Sequence, residues 1–266
     1  MEKIGLIGCG NMGETFVRGL LFTEEVAAEN LFVFDRDRGK TGELSKVLEF
    51  QLKDSAAAVV ESAEIIFLAV KPQDLAGLLE EIRRVSADKL FVSVAAGISM
   101  DFIEEKLDST SRVMRLMPNT AARVCHMAGG FALGAKATEE DGRILKELLS
   151  GMGLVLPVSE DQLDAVTGLS GSGPAYFFLI IDELAKAGVE QGLEEDVALK
   201  LAAQTAKGAA DMILRNTGSP EELIEGVSSP GGTTIEGLNV LRQRKIGEIL
   251  RDTVAAATKK SKELGK

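Results

Sequence analysis

Tryptophan is absent from the 266 residues, tyrosine and histidine occur once each, and cysteine twice. Cys9 and Cys125 alone cannot build a disulfide framework. With His126 as the single histidine, a His/Cys metal site is not expected either. The same scarcity leaves no Ser/His/Asp constellation and no defensible pair of catalytic carboxylates. His126 therefore reads as non-catalytic, and the two cysteines as small packing residues. Long hydrophobic runs are also missing. The longest fully apolar run of the second half, AYFFLII at residues 175–181, is far too short to span a bilayer. Positive charge is in deficit, with 30 Lys and Arg against 41 Asp and Glu, a formal net charge of -11. Such a surface repels bulk nucleic acid, while leaving room for a local basic pocket for a phosphate. Only Met1, Glu2 and Lys3 precede the apolar run of the first expected strand, so we expect no leader peptide, no membrane association and a cytoplasmic protein.

What is present is apolar bulk and glycine. Hydrophobic residues make up 45% of the chain and glycine contributes 28 residues, enough for one large or two modest domains. Residues 3–8 read as a short strand whose apolar residues crowd together, the mark of a parallel strand covered on both faces. It runs into Gly8-Cys9-Gly10-Asn11-Met12-Gly13, a G-x-G-x-x-G spacing that opens a helix to about Leu21. Gly8 permits the tight turn, Gly10 lets the backbone approach a pyrophosphate, and Gly13 lets the helix lie close on the sheet. The helix start supplies free N–H groups for phosphates. A strand at residues 30–34 ends at Asp35-Arg36. A carboxylate there can bind ribose hydroxyls, whereas Arg36, with Arg38 or Lys40, can face a 2'-phosphate. The pair leaves NADH and NADPH both open, and leaves open a plain turn or surface role for each residue.

Further strands are expected at residues 64–70, 89–94, 112–117, 129–133 and 153–158, with helices at 100–106, capped by Ser99, and at about 139–152. The strand ends put Ala69, Val70, Lys71 and Pro72 beside the cofactor crevice. Turn residues recur at Ala95 and at Pro118-Asn119-Thr120. This is an α/β pattern. It changes after Val158. Residues 160–167 read as a short helix and the candidate boundary, giving a cofactor domain at 1–160 and a helical domain at 161–266. Within the second half, Pro174 suits the first turn of a helix at 176–187 that Gly188 would end. Helices follow at 194–215 and 220–225, with a last helical region at about 234–260, kinked near Gly247. Ala-lined faces in so thin a domain suggest packing against a copy of itself. The block SSPGGTT at residues 228–234 combines a fixed Pro230 with permissive Gly231 and Gly232, and Thr233 or Thr234 would cap the last helix. Backbone N–H groups there suit a carboxylate, and a threonine hydroxyl can donate to a substrate nitrogen. A rigid loop with a cap and no ligand fits the same residues. An imine substrate would ease the shortage of acids and bases, because it can arrive protonated while a cofactor carries the hydride.

These segments together resemble the pyrroline-5-carboxylate reductase family. The resemblance rests on GCGNMGETFVRGL from Gly8, AVKPQ from Ala69, SVAAGI from Ser93, MPNT from Met117, LSGSGPAYFF from Leu169 and VSSPGGTTIEGL from Val227. They span nearly the whole chain in the family's order. The resemblance implies an N-terminal Rossmann-like parallel-sheet domain followed by an all-helical C-terminal dimerisation domain. It also implies an intertwined homodimer that assembles into a decamer. The implied reaction is reduction of 1-pyrroline-5-carboxylate to L-proline by NAD(P)H, the last step of proline biosynthesis, with NADPH put ahead of NADH. It carries Thr234 over as the residue near the ring nitrogen, and Ser229, Gly231, Gly232 and Thr233 as the loop that holds the substrate carboxylate. Asn11 and Met12 flank the cofactor, Ala69, Lys71 and Pro72 form the nucleotide-side loop, and Asn119 lies near the nicotinamide end. The chain departs from the family at Ala121, where proline is common, and through Arg123-Val124-Cys125-His126-Met127. Two other readings remain. A beta-hydroxyacid dehydrogenase would need a catalytic lysine, for which Lys186, Lys200 and Lys207 are the candidates. A non-catalytic NAD(P)-binding regulatory paralogue would keep the glycines and lose turnover.

Overall fold

A computed structural model describes residues 2–215 and 217–265. It divides into two compact units, Met1–Ser172 with Ala255–Lys266, and Gly173–Val254. The first unit is built on one sheet whose strands are β1 (Ile4–Ile7), β2 (Leu31–Phe34), β3 (Gln51–Leu52), β4 (Ile65–Leu68), β5 (Leu90–Ser93), β6 (Arg112–Met117), β7 (Met127–Leu133) and β8 (Gly153–Pro157). Their spatial order is β3-β2-β1-β4-β5-β6-β7-β8. Pairing is parallel throughout except between β6 and β7, which run antiparallel. The first six strands thus follow the doubly wound order in which ligands bind at the strands' carboxyl ends.

Alternate residues of the central strands feed two separate cores. Ile4, Leu6, Ile65, Phe67, Leu90 and Val92 face one side. Ile7, Ile66, Leu68 and Phe91 face the other. Covered on both faces, β1, β4 and β5 are buried along their whole length, which is why they read as apolar runs rather than alternations. The first helix, α1 (Asn11–Phe22), lays Phe16, Val17 and Leu20 on the first core, with Phe16 stacked on Phe67 at 5.2 Å between ring centroids. Three helices follow that the sequence pattern did not announce: α2 (Arg38–Leu48), α3 (Ala56–Ser62) and α4 (Pro72–Ile82). Their starts were nonetheless written locally. Asp37 accepts from the Lys40 N–H at 3.1 Å, Ser55 accepts from the Ala58 N–H at 3.1 Å, and Pro72 sits in the first turn of α4. Pro72 therefore begins a helix as well as ending an extended segment. Next come α5 (Met100–Lys106), with Ser99 accepting from Phe102 N–H at 3.3 Å, and α6 (Glu139–Leu148). A short α7 (Leu163–Val166) runs into one π turn at Thr167–Gly171.

The second unit is helical: α8 (Gly173–Glu190), α9 (Glu195–Leu214), α10 (Pro220–Gly226), α11 (Thr233–Gln243) and the first part of α12 (Ile246–Leu264). Two expectations are corrected here. Gly188 does not end α8; it lies inside the helix, where a Cβ would meet Ala198 Cβ and Leu193 Cδ1, each at 3.3 Å. It is a contact point for α9, and the reversal falls to Gly192 at φ +97°. The last helical region does not kink at Gly247; it breaks between α11 and α12, where Lys245 takes φ +58°. Among the described residues of this unit only Gly173, Ala185 and Ala198 are buried. Phe177, Phe178, Leu179 and Leu184 stay exposed along α8, and Leu201 and Leu214 along α9. Helices of this kind bury too little apolar area among themselves to offset the entropy of ordering them.

The end of α12 belongs to the first unit. There the buried Ser261 hydroxyl donates to Asp164 Oδ1 of α7 at 2.6 Å, and Gly97, at φ +77°, packs against the backbone of Leu264 and Gly265.

A side chain at Gly13 has no room, because its Cβ would overlap the Gly8 carbonyl oxygen. Gly13→Ala should therefore destabilise the protein by about 1–3 kcal/mol, despite alanine's better helix propensity. Urea denaturation measures this, and an unchanged or raised midpoint would contradict the steric argument.

Candidate functional site

The glycine turn is shaped by what cannot fit around it. Gly8 holds φ +98°, and a Cβ there would stand 2.6 Å from the Ala69 carbonyl oxygen. Gly10, by contrast, faces open space, with no atom within 4 Å of a Cβ position. It is the N-cap of α1 and makes no side-chain cap, so the first-turn N–H groups at Asn11, Met12 and Gly13 lack intrahelical partners. This is a cradle of backbone donors with a positive helix end behind it. A dinucleotide pyrophosphate fits that chemistry, and the empty volume at Gly10 is where it needs room.

The strand ends gather around the cradle. Gly8, Gly10, Asp35, Arg36, Ala69, Val70 and Lys71 line one cavity of about 410 Å3, joined by Asp37, Asp74 and Glu81. Asp35 is more committed than its sequence position suggested. One carboxylate oxygen accepts from the Cys9 N–H, and the other accepts from Asp37 N–H at 2.7 Å. It braces the glycine turn against the end of β2, and a carboxylate retains lone pairs for a further donor. Arg36 is exposed and its Nη1 lies 3.3 Å from Asp74 Oδ1. Pro72 opens α4 at the same end of the sheet, and Ala95 is buried just beyond β5.

Gly13, Pro72 and Ala95 lie outside that cavity's lining, and three further expected residues, Asn11, Met12 and Asn119, are also outside it. Asn11, on the open side of α1, lines a separate groove of about 860 Å3 with Arg18, Phe22, Ala122 and Val124. Met12 is half-buried against the first core. Asn119 is buried, and its amide is used at both ends. Nδ2 donates to the Ser170 carbonyl at 3.0 Å, and Oδ1 accepts from Ala128 N–H at 3.2 Å. It ties the end of β6 to the π turn and to the start of β7. The sequence departures at residues 121–127 form a short 3-10 stretch, Thr120–Val124, closed by Cys125 at φ +59°.

In the second unit, Ser229, Pro230, Gly231, Gly232, Thr233 and Thr234 form the approach to α11. Gly231 takes φ +68° with open space around it, and the Gly232 N–H donates to the Ser229 carbonyl at 2.9 Å. The N-cap is Gly232, without a side-chain hydrogen bond. The expected threonine cap is corrected: Thr233 and Thr234 both lie in the first turn of the helix and both are exposed. The consequence is chemical: the first-turn N–H groups of an 11-residue helix and two hydroxyls stay available together. The lysines of the dehydrogenase alternative are placed differently. Lys186 pairs with Asp182 at 2.7 Å and Glu183 at 2.8 Å, hydrogen bonds that raise its pKa, and Lys200 pairs with Asp196 at 2.7 Å.

Electrostatics around the glycine turn are set by burial and by pairing. Burial first, and then the Asp35 charge, push the Cys9 thiol up to about 11. Glu14 is held below the usual carboxylate range by hydrogen bonds from Lys40 and Arg18, and Lys40 is raised by the same bond to Glu14. Among the described residues no cluster of three or more His, Cys, Asp or Glu is placed to hold a metal ion, and no helix is long and apolar enough to cross a membrane.

A pyrroline-5-carboxylate reductase of Methanosarcina acetivorans is 40% identical over all of this chain and 98% of its own length. The chain belongs to the pyrroline-5-carboxylate reductase family. A pyrroline-5-carboxylate reductase of Arabidopsis thaliana is 38% identical, over 98% of this chain and 95% of its own. Among solved structures, the pyrroline-5-carboxylate reductase of Coxiella burnetii superposes with a TM-score of 0.94 at 32% identity, covering 100% of this chain and 99% of its own. The Plasmodium falciparum pyrroline carboxylate reductase, solved with NADP bound, does so with 0.86 at 28% identity, covering 100% and 98%. Residues 160–264 match the family model for pyrroline-5-carboxylate reductase dimerisation, and residues 3–97 match that described as NADP oxidoreductase, coenzyme F420-dependent.

The Cys9 shift carries a pH signature for this family member. The unfolded thiol ionises near its ordinary value of 9.0, while the folded one resists to about 11. Deprotonation in that window favours the unfolded chain, so stability should fall as pH rises from about 9 to about 11. Cys9→Ala should remove this component from the stability–pH profile, and a profile of the same slope in the variant would contradict it.

Proposed function

We propose that this chain reduces 1-pyrroline-5-carboxylate to L-proline with NAD(P)H, as the last step of proline biosynthesis. The observation that carries the reading is the 40% identity to a pyrroline-5-carboxylate reductase over the entire chain. The glycine cradle and the uncapped start of α11 support it. We read the chain as an NAD(P)-binding domain at 1–160 and a helical substrate-binding and dimerisation domain at 161–266. The protein works as a homodimer, consistent with the dimerisation model matched at 160–264 and with the apolar faces left open on α8 and α9. Assembly of dimers into a decamer and a cytoplasmic setting complete the proposal.

The nicotinamide cofactor supplies the hydride when bound, which spares the protein any redox chemistry of its own. The chain's residues bind and orient. Gly8, Gly10 and Gly13, with the N–H groups of Asn11 and Met12, hold the pyrophosphate. Asp35 and Arg36 face the adenosine ribose, and Ala69, Val70, Lys71, Pro72 and Ala95 border the nucleotide, with Asn119 serving the nicotinamide end. In the second unit the first-turn N–H groups of α11 take the substrate carboxylate, presented by Ser229, Gly231, Gly232 and Thr233. A carboxylate there is favoured by the helix dipole as well as by the donors. Thr234 Oγ1 is the catalytic group: its hydroxyl donates to the neutral ring nitrogen, orienting the imine, and its oxygen accepts from the N–H once that nitrogen is protonated. An iminium needs no strong acid beside it, so the scarcity of histidine is no obstacle.

Steady-state oxidation of NADPH, and separately of NADH, with 1-pyrroline-5-carboxylate and assay of L-proline tests the reaction. We expect turnover with both cofactors, with kcat/KM only slightly in favour of NADPH. Cofactor binding without proline formation would instead support the regulatory-paralogue reading. Thr234→Ala should lower kcat by about 100-fold, a loss typical of one hydrogen-bonding or proton-donating group, while NADPH affinity stays close to wild type. Equal turnover numbers for the two proteins would remove Thr234 from the chemistry.

A further inference from the structure

The adenosine end of the cofactor cavity carries more acid than base. Its charged lining is Asp35, Asp37, Asp74 and Glu81 against Arg36 and Lys71. Each basic residue of the turn after β2 is also already engaged. Arg36 Nη1 lies 3.3 Å from Asp74 Oδ1, and Arg38 Nη1 lies 3.3 Å from Asp54 Oδ1 while its Nη2 donates to the Asp54 carbonyl at 2.6 Å. Lys40 Nζ lies 2.9 Å from Glu14 Oε2. A 2'-phosphate brings nearly two negative charges and needs cations free to turn toward it. A 2'-hydroxyl needs only an acceptor, which Asp35 provides.

We propose that Asp74 is a nucleotide-specificity residue: from the first turn of α4 it holds the Arg36 guanidinium and sets a carboxylate in the cavity wall, which weakens binding of a 2'-phosphorylated dinucleotide and keeps the site open to NADH. This rests on the cofactor reading proposed above. Three features single out Asp74 among the four acids. It is the one that pairs with Arg36, across 38 residues of chain. It sits in the first turn of α4, with its own N–H donating to the Lys71 carbonyl at 2.9 Å, whereas Asp35 and Asp37 lie between β2 and α2 and Glu81 lies in the last turn of α4. The pair itself is solvent-exposed, with side-chain exposures of 73% and 42%. It therefore adds little to stability, and its effect is felt in what Arg36 is free to bind.

The test is equilibrium binding of NADPH and NADH, each followed by quenching or enhancement of nucleotide fluorescence. The proteins are full-length wild type, Asp74→Asn, Arg36→Ala and the double variant. Asparagine keeps the shape and the helix position while removing the charge. Loss of one negative charge beside a phosphate dianion predicts NADPH binding about tenfold tighter in Asp74→Asn. NADH should change less than about twofold, and the gain should disappear on adding Arg36→Ala. The steady-state ratio of kcat/KM for NADPH over NADH should move the same way. An NADPH-to-NADH affinity ratio unchanged in Asp74→Asn overturns the assignment, and so does a gain that survives intact in the double variant. Failure of the wild type to bind either nucleotide overturns the cofactor reading itself, and the assignment with it.

Discussion

Everything in the first unit depends on how closely α1 can lie on the end of β1. The helix starts where the Gly13 Cα passes the Gly8 carbonyl with no space for a methyl group. Gly8, in its left-handed turn, is similarly tight against the Ala69 carbonyl. That double contact aims the uncapped helix start at the open space beside Gly10. It also seats Phe16, Val17 and Leu20 on the sheet. The same backbone geometry therefore makes the core and the anion cradle, and neither can be altered alone. Asp35 reinforces the arrangement by accepting from the Cys9 N–H, which couples the glycine turn to the second strand.

The second unit is organised on the opposite principle. Among its described residues almost none is buried, and α8 and α9 approach where Gly188 meets Ala198. Small residues let the two helices approach closely, but they contribute little apolar area, and the larger side chains point outward. A chain organised this way obtains its stability from association. The match of residues 160–264 to a dimerisation model agrees with that physical reading.

Much of the fold was legible because its signals are local. β6 and α5 fall on their expected bounds, and β1, β4 and β5 declare themselves as apolar runs, whereas the two-residue, exposed β3 was not expected. The glycine turn was legible for a steric reason: only glycine tolerates those backbone angles and contacts. What escaped was set by partners distant in sequence or by weak patterning. The α2 helix buries little beyond Thr41 and Leu44, so its apolar period is faint, although the Asp37 cap marked its start. Gly188 looked like a stop because the packing of α9 against it is a tertiary fact. Lys245, rather than the nearby Gly247, breaks the last helical region, against ordinary residue preference. At the site, the sequence offered Asp35 and Arg36 as free groups. Their actual bonds, to Cys9 and to Asp74, join residues 26 and 38 positions apart.

The anchoring of Ser261 on Asp164 gives the chain an unusual folding problem. The first unit takes its final segment, Ala255–Lys266, from beyond the whole of Gly173–Val254. The contact that docks it closes a loop of 97 residues. Loop entropy rises only slowly with such a length, so the completed structure loses little stability by it. The rate is another matter, since long-range closure is slow to find. Until it forms, Gly97 in the turn after β5 and Asp164 on α7 stand without their covering helix, and the first unit is a nearly finished fold waiting for its last strap.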